Sequence, residues 1–138
     1  MKVEYFDLRG KRALVSGGAS GIGASIVEHL CEQGVEVYFF DINKNEAKKT
    51  INKIKKKKFK TPSFVECNIK NIKKYKSSIL NIIKKQGPID ILVNNASNDQ
   101  RHSLEKITEK YWDDRMAINL KHYLFAIQAV KKSMIKNK

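Results

Sequence analysis

The chain has 138 residues, 41% of them hydrophobic, enough for one domain with a modest core and too many for a disordered polypeptide. No apolar run approaches the ~20 residues of a membrane helix, and the first ten residues, which include Glu4 and Asp7, lack the apolar block of a signal peptide. The net charge of +14 is overwhelmingly lysine, with only Arg9, Arg12, Arg101 and Arg115 as arginines, a poor supply of forked donors for reading nucleic-acid bases.

Short apolar runs alternate with segments of helical period. Residues 13–15 predict a first strand, followed by the run Ser16-Gly17-Gly18-Ala19-Ser20-Gly21-Ile22-Gly23 and a helix over 21–33 that Gly34 ends. A strand that turns through glycines into a helix directs backbone N–H groups and the positive helix end at one spot, which suits a pyrophosphate. The spacing excludes two common phosphate motifs. Ala24 stands where a P-loop needs lysine, and Ile26 stands where Gly-x-Gly-x-x-Gly needs its third glycine. The fit is to Gly-x-x-x-Gly-x-Gly at Gly17, Gly21 and Gly23; the bland alternative is a glycine turn without a ligand.

A second strand over 35–40 runs into Asp41 and Ile42, roughly twenty residues beyond the glycines, where a carboxylate accepts from adenosine ribose hydroxyls and repels a 2′-phosphate. Ser20, not a basic residue, precedes Gly21, and no Lys or Arg flanks Asp41; both facts favour NAD over NADP. The alternative reading of Asp41 is an ordinary N-cap of the next helix, a role compatible with ribose binding. That helix is predicted over 44–56, and the lysine run 53–60 at its end carries only Phe59 as an aromatic. It reads as a solvated face, with a phosphate-binding nucleic-acid surface as the alternative. A strand over 63–67 is followed by Asn68 and Ile69, a helix over 72–86 stops at Gly87-Pro88, and a strand over 89–93 precedes Asn94-Asn95-Ala96-Ser97. The last helix is predicted over 109–136. It carries an apolar stripe of Trp112, Met116, Leu120, Tyr123, Leu124, Ile127 and Val130, with Asn119 in its interior. Continuous apolar strands joined by helices predict an α/β, Rossmann-like, doubly wound parallel sheet with strand order 3-2-1-4 and helices on both faces. His29 and His122 lack ligand-spaced partners and read as ordinary helix residues. Cys31 and Cys67 form no metal motif, and two lone thiols point to a reducing cytoplasm.

The glycine pattern, Asp41, Asn94-Asn95-Ala96 and Asn119, in this order and spanning nearly the whole chain, resemble the short-chain dehydrogenase/reductase family. The resemblance implies an NAD-dependent oxidoreductase. It places Gly17, Ser20, Gly21, Ile22, Gly23, Asp41, Ile42, Asn68, Ile69, Asn95 and Ala96 around the cofactor, and gives Asn119 the catalytic role of holding a water in the proton relay. The chain departs from the family pattern at Asn68, where aspartate is usual, and at Ser97, where glycine is usual. The segments Asn98 to His102, Tyr111 to Arg115 and Asn119 to His122 resemble the branch that oxidises free aldoses at C1. That branch would place Asn98, Asp99, Arg101 and His102 at a sugar substrate; a structural salt-bridge corner is the alternative for the last three. The family's catalytic Tyr-x-x-x-Lys and serine are missing. The chain therefore reads as the N-terminal part of a single domain, 1–138, cut before that segment, the full-length enzyme being expected to form a homo-oligomer. A non-catalytic NAD-binding fragment is the competing reading.

Overall fold

Residues 3–136 are described by the computed structural model; the expected outer limits at Met1 and Lys138 lie outside the described residues. The run around Leu14 becomes the interior strand β1 (Arg12–Ser16), paired in parallel on one side with β2 (Glu36–Asp41) and on the other with β4 (Ile91–Val93). β3 (Ser63–Glu66) pairs with the outer side of β2, giving the expected order β3-β2-β1-β4.

Alternation along β1 and β2 explains the continuous apolar runs, because both faces of the sheet are covered. Ala13, Val15, Val37 and Phe39 pack with α1 (Gly21–Glu32) and α2 (Lys44–Lys56) in one core. Leu14, Tyr38 and Phe40 pack with Tyr75, Ile79 and Ile82 of α3 (Ile72–Gln86) and with Ala126, Ala129 and Val130 of the last helix. The strand over 89–93 is shorter than expected because Asp90 takes part in a different pairing. Its carboxylate accepts from Arg12 N at 2.8 Å while its own N–H donates to the Arg12 carbonyl at 2.9 Å.

The largest departure is the final helix. In place of one helix over 109–136 there are α4 (Glu109–Met116), a π turn (Ala117–Lys121) and α5 (His122–Lys136). A π turn holds one residue more than an α turn and re-aims the helix beyond it, often at a functional site. The expected apolar stripe also divides. Val130 is core, and Tyr123 lies half-buried against His122, whereas Trp112, Leu120 and Leu124 are 60%, 55% and 56% exposed.

The lysine-rich α2 is held to α1 by a buried carboxylate. Glu28 accepts from Lys53 at 2.7 Å and also from Lys57. Lys53 first, then Lys57, holds its pKa below the ordinary 4.5 against the opposing effect of burial. A carboxylate with a depressed folded pKa stabilises above its unfolded value, and that stabilisation is lost as pH falls. Glu28→Gln is therefore expected to lower the thermal midpoint at neutral pH and to narrow its gap to wild type below about pH 4.5. Midpoints across the acid range measure this; a gap that stays constant would remove Glu28 from the acid response.

Candidate functional site

The C-terminal ends of β1, β2, β3 and β4 open into one cleft of about 570 Å³. This is where parallel α/β sheets place their ligands. Its first wall is the glycine turn. A Cβ on Gly17 would lie 2.8 Å from the Ala96 Cα, so only glycine lets this loop close on the one beyond β4, and Gly21 has a left-handed φ of +55°. Ser20 stands before α1 in extended conformation, and its side chain caps none of the first-turn amides. Gly21, Ile22 and Gly23 thus keep the N–H groups that no intrahelical carbonyl can reach. Ser20, Ile22 and Gly23 line the cleft, so an anion has donors and a helix dipole there.

Asp41, at the end of β2, is also in the lining, together with Ile42. One carboxylate oxygen accepts from Ala19 N at 3.0 Å and the other from Asn43 N at 3.0 Å. The first bond ties β2 to the glycine turn. The cap of α2 is Asn43, whose side chain accepts from Glu46 N at 3.1 Å, so Asp41 is not the helix cap. Lys44, the nearest cation further along the chain, pairs with Glu66 at 2.8 Å. Asn68 folds into a turn by accepting from Lys70 N at 3.0 Å, and it forms the third side of the cleft with buried Ile69.

The loop after β4 forms the floor. Asn95 Nδ2 donates to the Ser16 and Gly17 carbonyls, each at 3.0 Å, joining this loop to the glycine turn. Asn95 N and Ala96 N donate to Ser16 Oγ at 3.0 and 3.1 Å. Further along, Asn119 in the π turn grips the Asn98 backbone, its Oδ1 accepting from Asn98 N at 2.7 Å and its Nδ2 donating to Asn98 O at 3.0 Å.

Of the four expected substrate residues, Asn98 lines the cleft, while Asp99, Arg101 and His102 lie on the exposed stretch just beyond its lining. His102 stacks on Tyr111 with ring centroids 4.2 Å apart. Tyr111 donates its hydroxyl to the Gln100 carbonyl at 2.5 Å, and the Arg115 guanidinium lies 4.9 Å from the Tyr111 ring centre. Tyr111 and Arg115 thus shape the loop, a role the sequence reading does not assign them; their place one turn apart on α4 is the signal that could have shown it. Cys67 also lines the cleft, its thiol pKa pushed up by burial.

Among the described residues no helix is long and apolar enough to cross a membrane, and no three His, Cys, Asp or Glu side chains gather to hold a metal. Several α2 lysines are spent on Glu28, Glu46 and Glu66, which weakens the case for a nucleic-acid face.

The chain is similar to a D-xylose 1-dehydrogenase of Caulobacter vibrioides, 39% identical over 132 residues that make up 96% of this chain and 51% of the relative. Its fold is similar to that of the ligand-free aldohexose dehydrogenase of Thermoplasma acidophilum (TM-score 0.81, 28% identity, 96% of this chain and 47% of that one). It is also similar to a blue fluorescent protein from a metagenomic library, in complex with NADPH (TM-score 0.81, 31% identity, 92% and 52%). The chain thus spans about half the length of the curated relatives it matches. Residues 11–138 match the family described as short chain dehydrogenase, and the chain belongs to that family.

Proposed function

We propose that this chain is the cofactor-binding part of an NAD-dependent short-chain oxidoreductase whose complete form oxidises a free aldose at C1 to the lactone. The observation that carries the cofactor half is the cleft itself, with unpaired helix N-terminal amides on one wall and the Asp41 carboxylate on the next. The amides of Gly21, Ile22 and Gly23 would hold the pyrophosphate beside Gly17 and Ser20. Asp41 and Ile42 would hold the adenosine ribose, Asn68 and Ile69 the adenine, and Asn95 and Ala96 the backbone beside the nicotinamide. The cofactor supplies a hydride acceptor; removal of hydride from C1 and a proton from the anomeric hydroxyl leaves the lactone. Asn98 would face the sugar, with Asp99, Arg101 and His102 beside it, and Asn119 would stand at the water of the proton path.

Preference for NAD rests on Asp41. A second negative group near its carboxylate is repelled, and Lys44, already paired with Glu66, offers no compensating charge. NADH is expected to bind this chain at least about tenfold more tightly than NADPH, equivalent to ~1.4 kcal/mol, with Asp41→Ala closing most of the gap. Titration of both nucleotides by calorimetry measures it, and equal or tighter NADPH binding would overturn the NAD assignment. The aldose half is supported by the resemblance around Asn98 and Asn119 and by the similarity to the D-xylose and aldohexose enzymes. Its test is NAD reduction by the full-length protein with D-xylose, L-arabinose and D-galactose; no turnover with any of them would remove the sugar assignment. A second reading is a nucleotide-binding chain without chemistry, which the same cleft would serve. NADH binding without turnover in the full-length protein would select it.

We place the protein in the cytoplasm. Cys31 and Cys67 are both buried and unpaired, with burial pushing the Cys31 thiol up to about 12, as suits a reducing compartment. The exposed apolar side chains of α4 and α5 support a homo-oligomer for the complete enzyme.

A further inference from the structure

Ser16 ends β1, and its hydroxyl oxygen accepts from two backbone amides, Asn95 N and Ala96 N. Two acceptor positions are then used, and the hydroxyl proton must go elsewhere. His122 Nε2 lies 3.2 Å from the same oxygen, on a ring with no exposed surface. With Ser16 donating to it, Nε2 is the acceptor and the ring proton sits on Nδ1; the Tyr75 hydroxyl, which also reaches Ser16, is the competing acceptor. Nδ1 makes no hydrogen bond of good geometry, although the Ile118 carbonyl, one turn back, pulls the ring's pKa up; burial outweighs it and keeps the imidazole neutral. Packing fixes the ring, with Tyr75 and Tyr123 edge-on to it at centroid distances of 6.0 and 4.4 Å.

We propose that His122 is a positioning residue of the cleft: by taking the Ser16 proton it turns the Ser16 oxygen onto the Asn95 and Ala96 amides and so fixes the cleft floor. The π turn and the start of α5 then hold that loop at two points. Asn119 grips Asn98 directly, and His122, three residues on, grips Asn95 and Ala96 through Ser16. Without His122 behind it, the Ser16 hydroxyl would turn to the Tyr75 hydroxyl and one amide would lose its partner. The function of this relay rests on the reading of the cleft as a dinucleotide site; the relay itself does not.

The test uses His122→Leu, which removes the acceptor, and His122→Gln, whose amide oxygen can reach the Nε2 position. Tyr75→Phe is the control, because the Tyr75 hydroxyl also lies near Ser16. Amide hydrogen exchange is followed at Asn95 and Ala96 without cofactor. Exchange about tenfold faster in His122→Leu is expected from the lost hydrogen bond, with near-wild-type protection in His122→Gln and Tyr75→Phe. NADH affinity should follow the same order, and adding His122→Leu to Ser16→Ala should cost nothing further. Unchanged exchange in His122→Leu, equal acceleration in His122→Gln, or acceleration in Tyr75→Phe instead would overturn the relay. Should wild type fail to bind NADH, the cofactor reading falls and the exchange data still decide the relay.

Discussion

Replacing Gly23 with alanine is expected to abolish nucleotide binding and to lower stability by more than about 3 kcal/mol, at the severe end of single substitutions. A Cβ there falls far inside van der Waals contact of the Gly17 carbonyl oxygen and within 2.6 Å of Asn95 Nδ2. Neither atom can step aside at little cost. The Gly17 carbonyl accepts from Asn95 Nδ2 at 3.0 Å, and the Gly17 N–H donates to the Phe40 carbonyl at 2.7 Å, so moving the peptide breaks the tie between the glycine turn, β2 and the loop after β4. Gly10→Ala is the control. Gly10 has a φ of +78° but nothing within 4 Å of a new Cβ, so only backbone strain of ~1 kcal/mol applies. Denaturant unfolding and NADH titration of the two variants separate steric from conformational cost. A Gly23→Ala chain that binds NADH and unfolds like Gly10→Ala would refute the close-approach argument.

The strand order and the cleft are legible in the sequence because they depend on local signals. Apolar runs such as 13–15 and 35–40 can be buried on both faces only in a covered parallel sheet, and Gly17 and Gly23 stand where loops must nearly touch. Which residue caps α2 is not legible. Asp41 and Asn43 are both good capping types two residues apart, and only the fold shows Asn43 on the helix and Asp41 bonded across to Ala19. The last helix misleads for a similar reason. Residues 109–136 keep a helical period, and one extra residue in a turn leaves that period nearly intact. His122 looks ordinary in the sequence because its partner, Ser16, is 106 residues away. Hydrophobic pattern reports burial; it does not report which buried polar groups meet.

Asn119→Ala is the second substitution with a large expected effect, about 2 kcal/mol of stability together with a loosened loop from Asn98 to Gln100. The alanine leaves Asn98 N and Asn98 O without their partners, and the part-buried site limits their replacement by water. Arg115 is a poor substitute: its Nη1 reaches the Asn98 carbonyl only at 3.5 Å. Asn119→Asp distinguishes this grip from a packing role. The new carboxyl can still accept from Asn98 N, but when ionised it faces the Asn98 carbonyl with a second acceptor. Protonated, it restores both bonds, accepting from Asn98 N and donating to Asn98 O. The aspartate variant should therefore be more stable than the alanine variant in acid, below the ordinary aspartate pKa of ~3.9. Thermal unfolding of both variants at acid pH measures the difference. Equal midpoints there would mean that Asn119 fills space in the π turn and does not grip the loop.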